Sequence, residues 1–144
     1  MTDPKKVSMG KRSRSQGKAF EVRVRKDLVA NGWRVSRWDN NIKDDVCVQA
    51  KGKFNPFTKR VMNMSAGFPD FVVYRYVGRA TFDSPRQSLF DVQFIECKMA
   101  GKLDKEEKEK ARWYLEQKYC SKFLIAKKVK EKNRVKIVYD EVVL

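Results

Sequence analysis

Gly67-Phe68-Pro69-Asp70-Phe71-Val72-Val73-Tyr74-Arg75-Tyr76-Val77, followed after a turn by Leu89-Phe90-Asp91-Val92-Gln93-Phe94-Ile95-Glu96-Cys97-Lys98, decides how this chain is read. Both runs are rich in β-branched and aromatic residues, the composition that fits a pleated, half-buried surface. Between them Asp83-Ser84-Pro85 carries turn chemistry. Asp70 to Val77 and Leu89 to Cys97 are therefore expected to pair as an antiparallel hairpin. In such a hairpin the start of one strand lies beside the end of the next, so Asp70 comes next to Glu96 and Lys98. Strand side chains alternate, which puts Glu96 and Lys98 on one face.

The flanking sequence supplies the other elements. Upstream, Phe20, Val24 and Leu28 recur at four-residue spacing from Gly17 onward, and Asn31-Gly32 ends that helix. Trp33 to Trp38 alternates as a strand. Asp39 to Gly67 reads as a long irregular insertion with at most a short strand near Val46 to Val48. Downstream, Ala100-Gly101 breaks the hairpin strand. Asp104 and Glu107 have the spacing of a capping box for a helix running to about Tyr119. Phe123 to Lys128 and Arg134 to Val138 are two further strands. The order helix, strand, strand hairpin, helix, strand, strand makes an α/β domain with a mixed sheet. Residues 1–15 read as a flexible basic arm, and 16–144 as one domain carrying the insertion at 39–67.

The chain has 144 residues, with 33 Lys and Arg against 18 Asp and Glu, a net charge of +15. That length suits one domain with a proper core. The excess charge points to a polyanionic partner, nucleic acid before membrane. There is no histidine, which excludes Ser-His-Asp and Cys-His nucleophile systems and His-ligated zinc. Cys47, Cys97 and Cys120 form no C-x-x-C pair and no disulfide framework, so a reducing intracellular setting, cytoplasm or nucleoid, is expected. No stretch is apolar and long enough to span a membrane.

Any chemistry must then rest on carboxylates, Lys, Tyr, Cys, hydroxyls or a metal. Asp70 and Glu96 sit beside Phe71-Val72 and Phe94-Ile95, costly places for charge. A divalent cation offsets that cost. Two carboxylates plus waters suit Mg²⁺ (or Mn²⁺), with the backbone carbonyl of Cys97 as a further protein ligand. Such an ion acidifies water and neutralises charge on a phosphodiester. Lys98 serves as a base or as an electrostatic stabiliser. Neighbouring carboxylates raise its pKa and a metal lowers it. The plain alternatives are a same-face ion pair of Glu96 with Lys98, a turn role for Asp70, and a capping role for Glu107.

Pro69-Asp70, the hairpin, and Ile95-Glu96-Cys97-Lys98 together resemble the PD-(D/E)XK nuclease superfamily. Gly17-Lys18-Ala19-Phe20-Glu21 resembles the first helix of archaeal Holliday-junction resolvases, where an early-helix glutamate completes the metal site. Glu21 matches it, although an i,i+4 pair with Arg25 also explains that glutamate. Gly101-Lys102-Leu103-Asp104 and its helix resemble the VRR-NUC branch. Relatives often carry a Gln on that helix, and here the position is Glu107 or Lys110. The chain departs from compact resolvases in its long insertion and in having Asp39-Asn40-Asn41 where they place a Gly-Ser segment.

The resemblance implies a restriction-endonuclease-like mixed sheet flanked by helices and a Mg²⁺-dependent endonuclease. DNA, double-stranded or branched, is the expected partner, and a homodimer the expected assembly. Its interface is expected on the insertion (Phe54, Pro56, Phe57, Val61, Met62, Met64) or on the edge near Val142-Val143-Leu144. Lys5, Lys6, Lys11, Arg12, Arg14, Lys18 and Arg25 are the candidate phosphate contacts, because residues 1–26 hold nine basic residues against two acidic ones. Trp33, Trp38 and Trp113 are read as core. The alternatives are a catalytically silent nucleic-acid-binding protein and a restriction-type or RNA-directed nuclease of the same fold.

Overall fold

The hairpin is the centre of a five-stranded sheet in the computed structural model, which describes residues 4–50, 52–62, 67–80 and 87–144, with the side chains of 4–8, 53, 61 and 62 left aside. The strands of this sheet are β1 (Arg34–Arg37), β6 (Phe71–Arg79), β7 (Ser88–Cys97), β8 (Lys122–Glu131) and β9 (Arg134–Glu141), in the spatial order β1-β6-β7-β8-β9. All neighbours are antiparallel except β7 and β8, which run parallel. A parallel pair needs a crossover, and α2 (Lys105–Glu116) provides it.

The middle of the sheet is buried on both faces because its central strands are apolar there on both. Phe71, Val73, Ile95 and Ala126 pack against Phe20, Val24 and Leu28 of α1 (Pro4–Ala30). On the other face Phe94 and Phe123 pack against Ala111, Tyr114 and Leu115 of α2. Val24, Val73, Ile95 and Phe123 are fully enclosed. Burying each such side chain stabilises the fold by about 2 kcal/mol. The capping box is present as expected, with Asp104 accepting from the Glu107 N–H and Glu107 accepting from the Asp104 N–H.

Two stretches differ from expectation. The first helix begins at Pro4, well before Gly17. From Met9 to Ala19 its described residues are exposed or half-exposed, so the segment has no apolar periodicity to read. Pro4 suits a first helical turn, and the Lys, Arg and Gln that follow extend a helix once its packed turns exist. The insertion is also more ordered than expected. It holds the hairpin β2 (Asn40–Lys43) with β3 (Val46–Gln49), and the hairpin β4 (Lys53–Asn55) with β5 (Arg60–Met62). The short strand expected near Val46 to Val48 is present as β3, whereas the other three, of three or four residues each, are too short to show alternation. The β2–β3 turn relies on Asp44 and Asp45, at φ 51° and 57°, a left-handed pair that tight hairpins require. Exposed Phe54 and Phe57 lie on the second hairpin. Met64, Asp83-Ser84-Pro85 and the side chains of Val61 and Met62 lie outside the described residues.

Gly67 to Asp70 is pinned against β1 and β2. The Trp38 N–H donates to the Asp70 carbonyl at 3.1 Å, and the Phe68 N–H to the Asn40 carbonyl at 2.9 Å. A Cβ on Gly67 would stand 2.5 Å from the Trp38 carbonyl oxygen, so only glycine permits this approach. The Tyr114 hydroxyl donates to the Phe68 carbonyl at 2.8 Å, tying α2 to the same loop.

Candidate active site

Asp70 directly precedes β6 and Glu96 is near the end of β7. The register Phe71 to Ile95 and Val72 to Phe94 carries these two acids to the same end of the sheet. The Asp70 N–H donates to Glu96 Oε2 at 3.1 Å, and the Cys97 N–H donates to Asp70 Oδ2 at 2.8 Å. Lys98 Nζ lies 3.6 Å from Glu96 Oε1 and is bonded to Glu107 Oε1 at 2.5 Å. Asp70, Glu96 and Lys98 thus meet as the hairpin geometry requires. Glu107 joins them from the first turn of α2, with one oxygen on Lys98 and the other accepting from the Asp104 N–H at 2.9 Å. It is both cap and ion-pair partner.

The electrostatics are those of a crowded acidic pocket. Glu96 is buried, and desolvation together with the Asp70 charge pushes its pKa up to about 9 against the pull of Lys98. Burial also raises Asp70, opposed mainly by the hydrogen bond from the Cys97 backbone. Burial of Lys98 works to lower its pKa, but Glu107 and Glu96 outweigh it and the net shift is upward. The ammonium form is therefore favoured. Burial and the charges of Asp70, Glu96 and Glu21 push the Cys97 thiol far up, which removes it as a thiolate nucleophile.

Glu21 reaches this end of the sheet from α1. It is half-buried, and desolvation and then the Asp70 charge raise its pKa against Arg37 and Lys18. The i,i+4 partner considered for it, Arg25, instead places its guanidinium over the Phe71 ring at 5.5 Å. Lys110 is paired with Glu106 at 2.8 Å and lines the same cleft as Asp70 and Glu96, a space of about 350 Å³. Asn41 of β2 lines it too. Nothing in a short polar strand signals that position from sequence, and Arg37, whose charge acts on Glu21, was equally hidden among many arginines.

The basic residues of α1 fall into two groups. At 100° per residue, Lys11, Arg14, Lys18 and Arg25 form one stripe that includes Glu21 and borders the buried line of Phe20, Val24 and Leu28. Arg12, Arg23 and Lys26 project elsewhere. Lys11, Arg12, Arg14, Lys18 and Arg25 are all exposed. The side chains of Lys5 and Lys6 lie outside the described residues.

Among the described residues, no group of three or more His, Cys, Asp or Glu side chains is gathered into a metal cage. The donor set at Asp70 and Glu96 nevertheless fits a hard divalent cation. Both ligands are carboxylates, both are desolvated, and their charges oppose each other. Mg²⁺ needs only one or two carboxylates because it keeps several waters. The Cys97 carbonyl and Glu21 are the further oxygen donors nearest to hand in sequence and charge. No helix among the described residues is long and apolar enough to cross a membrane. Comparison with protein-family models, with curated proteins and with solved structures finds no match to this chain.

Proposed function

We propose that this chain is a PD-(D/E)XK-type nuclease, a Mg²⁺-dependent endonuclease that hydrolyses phosphodiester bonds in DNA. The observation that carries the reading is the paired placement of Asp70 and Glu96. Buried Glu96 and half-buried Asp70 are held against each other at a sheet end, beside an ammonium, in a chain with a net charge of +15. Burying two acids against each other costs stability, and a cation facing an anionic substrate would offset that cost. The element order and the α2 crossover between parallel β7 and β8 support a restriction-endonuclease-like core.

Asp70 and Glu96, with the Cys97 carbonyl and Glu21 beside them, would hold Mg²⁺ or Mn²⁺. When bound, such an ion supplies an acidified water and neutralises phosphate charge. The protein's own groups do the rest. Lys98, whose ammonium form Glu107 and Glu96 favour, would stabilise negative charge on the phosphate oxygens. Glu107 fixes the direction of that ammonium from the rigid first turn of α2. The stripe Lys11, Arg14, Lys18 and Arg25 holds the DNA backbone alongside.

Incubation with duplex, flap and four-way-junction DNA, with Mg²⁺ and with EDTA, tests this reading. Cleavage is expected only with the metal, and Asp70→Ala should abolish it while binding persists. Cleavage in EDTA, or by a folded Asp70→Ala protein, would refute the site. Binding to all three substrates without cleavage of any, in Mg²⁺ or Mn²⁺, would leave a nucleic-acid-binding protein instead.

A further inference from the structure

The β6–β7 ribbon outruns the rest of the sheet. β1 pairs only with Phe71 to Tyr74, and β8 only with Gln93 to Cys97. Arg75–Arg79 and Ser88–Val92 therefore project as two strands alone. The α2 helix ends at Glu116, and the chain returns beside Val92, where the Ser121 N–H donates to the Val92 carbonyl at 2.8 Å. Helix cover stops there.

Beyond that point the ribbon carries a bare aromatic face. Tyr76 and Phe90 are register partners, with ring centroids 5.9 Å apart, and Tyr74 lies 6.4 Å from Phe90. Both pairs meet edge to face, so none of these rings is stacked flat on another. Tyr76 and Phe90 are each 54% exposed. Three clustered aromatics on one face form a patch, not scattered surface residues.

Alternation puts this patch on the side of the sheet that carries Asp70 and Glu96, about 20 Å from Asp70 along the strand. Among the described residues its charged neighbours are cationic. Arg34 is the register partner of Tyr74, and the bulge between Tyr76 and Gly78 turns Arg79, partner of Ser88, toward the same side. Both arginines are exposed. The ribbon's described acid, Asp91, is paired across from Arg75 and belongs to the opposite face.

We infer that this face is a stacking platform for the unpaired bases of single-stranded DNA. Flat aromatic surface attracts base faces of any sequence, and bordering guanidiniums hold the phosphates between them. A duplex hides its base faces and cannot use such a surface. A second copy of the chain would bring two sets of arginines and two charges of +15 together, which the charge opposes. The inference rests on the nucleic-acid partner of the proposed function but on none of its chemistry. It makes the preferred substrate one with paired and unpaired parts.

Binding in EDTA decides it, with three labelled probes: oligothymidine, an abasic strand of equal length, and a duplex. The double substitution Tyr76→Leu with Phe90→Leu keeps apolar volume and removes the rings. It should weaken oligothymidine binding about 10-fold or more, leaving the abasic strand, the duplex and the salt slope unchanged. Unchanged oligothymidine affinity, or equal loss on the abasic strand, would overturn the platform. Should circular dichroism show the double variant unfolded, Tyr76→Trp carries the test: it should tighten oligothymidine binding alone, and no change overturns the inference. A wild-type dimer dissolved by the double substitution, with oligothymidine binding intact, would assign the patch to self-association. Intact platform binding without any metal-dependent cleavage would support the platform while refuting the nuclease reading. Cleavage without ring-dependent binding would do the reverse.

Discussion

Asp70 donates its backbone N–H to the carboxylate of Glu96 at 3.1 Å, while its own carboxylate accepts from the residue after Glu96, Cys97, at 2.8 Å. Each acid is thus fixed by the other's strand. Backbone geometry, not mutual attraction, holds together two groups whose charges repel.

That arrangement predicts how stability depends on pH. Glu96 moves from an unfolded value of 4.5 to about 9 in the folded chain, chiefly by burial. Between these values the folded chain holds a proton that the unfolded chain has released. Stability is therefore full below the lower value and falls as pH rises through the higher one. Glu96→Gln keeps an oxygen for the Asp70 N–H and removes the charge. It should flatten this slope and melt roughly 5 °C or more above the wild type at about pH 8. Thermal melts across the window check it, and a wild-type midpoint that rose with pH would contradict the sign.

Divalent cations should reverse the same penalty. Mg²⁺ or Mn²⁺ bound only by the folded chain raises its stability by about 2.7 kcal/mol at a concentration of 100 times Kd. Protons compete for the same oxygens, so the gain should grow with pH. Neither Asp70→Asn nor Glu96→Gln should show it, and EDTA should abolish it. A midpoint indifferent to both metals in the wild type would remove the metal from the proposed site.

Glu107 separates structure from chemistry. Glutamine also serves at the third position of a capping box, so Glu107→Gln should keep stability within about 0.5 kcal/mol, whereas Glu107→Ala should lose about 1 kcal/mol. Both remove the carboxylate that favours the Lys98 ammonium. Both should lower kcat with little change in KM, and move the alkaline limb of the cleavage profile to lower pH. Full activity in a stable Glu107→Gln protein would reduce Glu107 to a cap.

The hairpin was readable because its strands are long, β-branched and aromatic, and because antiparallel pairing alone brings Asp70 to Glu96. The α2 cap was readable because Asp104 and Glu107 stand in fixed spacing. The resemblance singled out Glu107 or Lys110 on that helix, but the pairing of Glu107 with Lys98 was not readable, since a cap says nothing of what the other carboxylate oxygen meets across space. The strand near Val46 to Val48 was readable and is present as β3, but its partner Asn40–Lys43 was not, because Asn-Asn-Ile-Lys carries no periodicity and the turn uses Asp44-Asp45 where glycine is the usual signal. The early start of α1 escaped because a solvated, basic helix has no apolar stripe. The aromatic face had the opposite fault: Tyr74, Tyr76 and Phe90 look like core residues, and only the point where α2 ends leaves Tyr76 and Phe90 bare beside half-buried Tyr74.

The charge of α1 is the remaining prediction, and its helical order makes it sharper than a count of cations. A disordered arm would contribute its charges in proportion to their number. A helix presents them by angle, and Lys11, Arg14, Lys18 and Arg25 share the stripe that holds Glu21, whereas Arg12, Arg23 and Lys26 do not. Glu21 already feels Lys18 and the Asp70 charge, so this stripe leads to the acidic pair. DNA seated at Asp70 would meet the stripe and leave the other group in solvent. Each stripe cation that contacts a phosphate adds about 0.9 to the slope of log affinity against log salt. Arg14→Ala with Lys18→Ala should therefore lower that slope by nearly 2 and weaken binding to duplex, flap and junction alike. Arg12→Ala with Arg23→Ala removes the same charge and should change the slope far less. Both substitutions fall on exposed helix positions and leave the core untouched. Equal slopes for the two double variants would mean that α1 attracts DNA only through its net charge, and would separate the helix from the site.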